Sequence, residues 1–75
     1  MEKIVVRSLA DLETLLTTHR IIKVHAAPPP FYIDLESPDE QHQYRVTISG
    51  QPTVSVTNSI VTVEAGVNFN VEHLS

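Results

Sequence analysis

From Phe31 onward, short alternating apolar segments follow one another with turn residues between them, and this constrains the fold more than anything else in the chain. Candidate strands fall at 31–36, 43–49, 53–57, 60–64 and 67–72. A hairpin must set apolar residues opposite apolar ones, because a slip of one residue turns every side chain to the other face. Pairing the first two segments puts Leu35 opposite Tyr44, Ile33 opposite Val46 and Phe31 opposite Ile48. The polar side then pairs Glu36 with Gln43 and Asp34 with Arg45, a favourable charge pair. The same test sets Ile48 against Val54 and Val46 against Val56 across Gly50-Gln51-Pro52. A two-residue turn at Asn58-Ser59 opposes Val56 to Val61 and Val54 to Val63. A loop of Glu64-Ala65-Gly66 sets Val63 against Val67 and Val61 against Phe69, with glycine supplying the left-handed position. Four successive registers agree on one apolar face, which predicts an antiparallel meander.

The first thirty residues read differently. Residues 3–7 are β-branched and predict a strand, and residues 21–26 predict another. Between them Ser8 is a helix N-cap with Asp11 three residues on, and Leu9, Leu12, Leu15 and Leu16 form one apolar face. A connection of about a dozen residues is the usual minimum for a helical crossover between parallel strands, and 8–19 meets it. The expected fold is therefore α+β: a β-α-β start followed by a curved antiparallel β-meander, with one helix packed on the concave apolar face. At 75 residues the chain has room for a single domain, 1–75. Pro28-Pro29-Pro30 is a stiff break between the two parts. Pro29-Pro30-Phe31-Tyr32 spells PPxY, which resembles the short ligand of WW domains. Such ligands bind as exposed polyproline, whereas Tyr32 belongs to a strand, so the segment reads as a stiff lead-in to that strand.

A helix is about 10 Å across and strands lie about 4.8 Å apart, so one helix covers two or three strands of a wider sheet. The rest of the apolar face needs another cover, by curling, by a second copy or by another protein. A short chain without cysteine lacks the disulfide support that small domains often use, which favours self-association. The last strand, 67–72, has no obvious edge blocker and offers a second route to a dimer. At the centre of the expected face, Val56→Lys is predicted to abolish folding or dimerisation, while Ser55→Lys on the opposite face is tolerated.

Charge narrows the function classes. Net charge is −4, from 9 carboxylates against 5 Lys and Arg. Residues 31–75 hold a single cation, Arg45, and no basic stripe exists to track phosphates, so nucleic acid is not an expected partner. No apolar run is long enough to span a membrane or to form a signal peptide, which leaves the cytoplasm as the expected compartment.

The most tempting cluster is Asp34, Glu36, Asp39 and Glu40 beside His42. Oxygen ligands with one imidazole would suit Mg²⁺, Mn²⁺ or Ca²⁺, but EF-hand spacing is missing. Ser37-Pro38-Asp39-Glu40 also matches the start of a short helical turn, and Asp34 has a partner in Arg45. His19, His25, His42 and His73 lie on separate elements and carry no metal-ligand spacing. No nucleophile elbow or glycine-rich phosphate loop is present. No catalytic residue, metal ligand or cofactor is assigned. The expected binding residues are Asp34, Glu36, Asp39, Glu40 and Arg45, and the expected partner is a protein, with a homodimer foremost. The function expected is that of a small protein-interaction module (an inhibitor, adaptor or accessory subunit, of the kind phages and mobile elements encode). The competing expectation is a small metal-dependent or acid–base enzyme centred on loop 34–42.

Overall fold

Ser8 starts the first element. In the computed structural model, which describes residues 4–26, 28–50, 53–57, 60–64 and 68–74, helix α1 runs over Leu9–Thr18. The Ser8 hydroxyl accepts the Asp11 N–H, and the Asp11 carboxylate accepts the Arg7 N–H at 3.0 Å. Two donors at the helix entrance are thus satisfied locally. The C-terminal half is rich in threonine, a poor helix former, and its hydroxyls bond back to carbonyls: Thr14 to Ala10, Thr17 and Thr18 to Thr14. His19 is extended and ends the helix. Leu12 and Leu15 are the residues α1 buries.

Among the described residues six strands follow: β1 Arg20–His25, β2 Phe31–Glu36, β3 Gln43–Ser49, β4 Thr53–Thr57, β5 Ile60–Glu64 and β6 Asn68–His73. The fold is α+β, and every strand pairing is antiparallel. β1, β2, β3 and β6 form one sheet in that order, and β4 with β5 forms a separate hairpin. The β2–β3 register is the expected one at every position, from Phe31↔Ile48 to Glu36↔Gln43. So is the β4–β5 register, with Val54↔Val63 and Val56↔Val61.

Three expectations are corrected. Residues 4–7 form no strand, and β1 pairs antiparallel with β2, so the parallel β-α-β start is not made. The Arg7 N–H is committed to Asp11, and Val6 instead drops into the core under the sheet. Second, β3 takes β6 as its neighbour, with Ile48↔Phe69 and Val46↔Val71, so the meander skips the β4–β5 hairpin. The apolar alternation of β4 and β6 is alike, but β6 also places Glu72 opposite Arg45. Third, residues 37–41 form a turn without helix, in which the Glu40 N–H reaches the Ser37 carbonyl and the Ser37 N–H reaches that of His42. Glu40 sits there at φ 60°, and Gly50 leaves β3 at φ 106°, a value that glycine reaches without steric cost. The expected Gly66 loop, the Asn58-Ser59 turn and Val67 lie outside the described residues.

A bulge sets the phase of β1. Ile21 faces Leu35, yet Lys23 faces Asp34, which leaves Ile22 as the extra residue. Strict alternation from Ile21 would send Lys23 into the core. With the bulge, Ile21 and Val24 both pack against the core, and Ile22 is left 44% exposed.

The core lies between the sheet and α1. Ile33, Leu35 and Val46 are fully buried, Leu12 and Ile48 nearly so, with Val6 and Leu15 beside them. Val63 packs against this cluster from the β4–β5 hairpin. Val56, expected at its centre, is 50% exposed, as Ser55 is exposed beside it. Val56→Lys should therefore be nearly neutral, within about 0.5 kcal/mol. Ile33→Ala, which opens a cavity at a fully buried site, should cost about 2–5 kcal/mol. Urea denaturation of the two variants checks both values.

Candidate functional site

The face of the sheet turned away from α1 is built by the same alternation that builds the core. Residues at Lys23, Asp34, Arg45 and Glu72 are successive cross-strand neighbours on β1, β2, β3 and β6. Their charges alternate in sign across the sheet. The next row holds His25, Tyr32, Thr47 and Asn70, and on the other side lie Arg20, Glu36 and Gln43.

Two forked ion pairs lock this face. Arg45 Nε donates to Asp34 Oδ1 at 2.7 Å and its Nη2 to Oδ2 at 3.0 Å. Arg20 donates to Glu36 Oε1 from Nε at 3.0 Å and from Nη2 at 2.6 Å. The carboxylates are the covered partners: the Asp34 and Glu36 side chains are 10% and 12% exposed, against 34% for Arg45 and 68% for Arg20. The hydrogen bond to Asp34 raises the Arg45 pKa above its already high ordinary value, so the guanidinium stays charged at any biological pH. It also lies 4.2 Å from the centre of the Tyr32 ring, a cation–π arrangement. Lys23 Nζ approaches the same ring at 5.7 Å, and the His25 ring stacks on it at 5.0 Å. His25 Nε2 meets the Pro28 carbonyl at 2.8 Å, and since a carbonyl only accepts, Nε2 carries the proton.

Of the five expected binding residues, Asp34, Glu36 and Arg45 come together on this face. Asp39 and Glu40 sit apart, exposed in the β2–β3 turn. Asp39 accepts from the Ser37 hydroxyl and from the Gln41 N–H, and the first of these bonds chiefly holds its pKa below the ordinary carboxylate value. The turn uses Asp39 as a bracing acceptor. Among the described residues, no three His, Asp or Glu side chains are placed to share a metal ion.

Beyond the expected binding residues, Arg20, Lys23, His25, Tyr32 and Glu72 also line the face. Arg20 and His25 join it through the antiparallel β1–β2 register, which alternation alone does not reveal. The histidines also gather unexpectedly. His19, His42 and His73 surround Tyr44, with ring centres 5.9, 6.3 and 5.0 Å from it, and His42 lies 5.3 Å from His73.

Asp34 and Glu36 accept hydrogen bonds from the Arg45 and Arg20 guanidinium groups. No helix of the described chain is long and apolar enough to cross a membrane. Compared with known protein families, curated proteins and solved structures, the chain finds no match in any of the three.

Two measurements test this account. Arg45→Met and Asp34→Asn, alone and together, should show a coupling of about 0.5–3 kcal/mol in chemical denaturation. Ser37→Ala should move the Asp39 pKa up toward the ordinary value, read by carboxyl NMR titration. A depressed folded-state pKa stabilises above the unfolded value and loses that effect as pH falls through the folded one. The Ser37→Ala protein should therefore lose less stability on acidification below about pH 4 than its parent.

Proposed function

We propose that this domain is a protein-interaction module that acts by occupancy, as an inhibitor, adaptor or accessory subunit, and that it works as a cytoplasmic homodimer. One observation carries the reading. The sheet has its layer of helix and hairpin on one side, while the other side presents charged side chains held in fixed geometry by cross-strand ion pairs. Side chains already ordered in the free protein lose little freedom on binding, which favours recognition.

Charge supports the same reading. Arg20, Lys23 and Arg45 cancel Asp34, Glu36 and Glu72 on this face, so the net charge of −4 is carried by the rest of the chain. A locally balanced mosaic within an acidic molecule selects partners by the placement of individual charges. The competing reading, a metal-dependent or acid–base enzyme at residues 34–42, finds Asp34, Glu36 and Asp39 each engaged by a donor from the chain itself.

Light scattering across a dilution series tests the homodimer. A mass of twice the 75-residue chain, falling toward one copy only at high dilution, is the expected result. One copy at every concentration overturns the homodimer. Calorimetric titration with millimolar Mg²⁺, Mn²⁺ or Ca²⁺ should give no heat, and saturable binding would favour the enzyme reading.

A further inference from the structure

The two outer strands of the sheet are not equivalent. β1 carries the bulge at Ile22 and an exposed Lys23, two features that discourage a further strand from pairing. β6 lies opposite β3 from Tyr44↔His73 to Ser49↔Asn68 without a register shift, and no strand lies on its outer side among the described residues. It has no proline and no lysine.

The phase of its free hydrogen-bonding groups follows from one bond. The Leu74 N–H reaches the Gln43 carbonyl at 2.7 Å, which makes that position a hydrogen-bonded pair. In an antiparallel ladder such pairs alternate with non-bonded ones. The bonded pairs are then Arg45 with Glu72, Thr47 with Asn70 and Ser49 with Asn68. The N–H and C=O groups of Phe69, Val71 and His73 must therefore point outward, along an unbroken edge.

We propose that this edge is where two copies of the chain meet, β6 against β6, about a two-fold axis at Val71. The proposal rests on the homodimer reading and names its surface. A second antiparallel β6 must present outward groups to outward groups and the apolar face to the apolar face. Centring on Val71 meets both conditions and pairs every outward group of Phe69, Val71 and His73. On the apolar side Val71 meets the partner's Val71, and Phe69 meets the partner's His73. Phe69 and Val71 are each only partly covered within one copy, so this contact buries apolar surface at the sheet's margin. On the polar side Asn70 meets the partner's Glu72. A register centred on Glu72 would instead oppose the two Glu72 carboxylates, which is unfavourable.

The chain has no cysteine, so a single introduced thiol reports only its own neighbours. Val71→Cys should oxidise to a covalent dimer, and Ile22→Cys, exposed on the opposite edge, should not. Asn70 is exposed, so its substitution leaves the fold intact, as circular dichroism will verify. Asn70→Lys should tighten the dimer roughly 2- to 30-fold by facing the partner's Glu72 twice, and Asn70→Glu should weaken it comparably. One copy at all dilutions overturns the proposal and the homodimer reading together. A dimer that crosslinks through Ile22→Cys and not Val71→Cys overturns the edge alone. A dimer that Asn70→Lys weakens overturns the register, because centring on Asn70 would bring two lysines together.

Discussion

The pairing of β2 with β3 is the interaction on which the rest of the structure depends. It sets Leu35 by Tyr44, Ile33 by Val46 and Phe31 by Ile48 on one face, and locks Asp34 to Arg45 on the other. Four of those apolar side chains (Ile33, Leu35, Val46 and Ile48) are the floor that Leu12 and Leu15 of α1 press upon. The outer strands attach to this pair by extending its rows. β1 adds Ile21 and Val24 to the apolar face, and β6 adds Phe69 and Val71. The charged face is the reverse of the same ladder, so core and surface are set by a single register.

That register was legible because two independent constraints met in it. Apolar alternation and the Asp34–Arg45 pair demand the same alignment. Where only one constraint operates, more than one alignment satisfies it. β3 finds equal apolar matches in β4 and β6, and alternation cannot choose between them. Against β4, the expected register sets Arg45 beside Thr57, whereas β6 brings Glu72 to it. The β4–β5 hairpin was read correctly as a pair and placed wrongly in the sheet, which is why Val56 is half exposed instead of central. The N-terminal segment misled for a related reason. Ile4, Val5 and Val6 have strand composition, but the helix entrance takes up the Arg7 backbone.

The charged face was legible in part. Asp34, Glu36 and Arg45 emerged from the β2–β3 register. Bringing Arg20 and Lys23 to the same face requires the bulge at Ile22, and a one-residue insertion in a strand leaves no mark in apolar periodicity. The acidic loop attracted attention through its composition, yet Asp39 serves the turn that contains it. The three histidines around Tyr44 come from the end of α1, the β2–β3 loop and the end of β6. Their convergence depends on which strand lies beside β3.

The placement of β4 and β5 between two neighbouring strands bears on how the chain finds its structure. β3 and β6 are separated by residues 50–67, and closing a long flexible loop carries an entropic cost that grows with its length. A local hairpin forms on the order of microseconds. Once Thr53 lies opposite Glu64, the span left between the ends of β3 and β6 is short. The hairpin thus works as a tether that gathers its own flanks. Joining the last strand to the sheet then becomes a near-neighbour event in a fold whose sequence separation suggests a distant one.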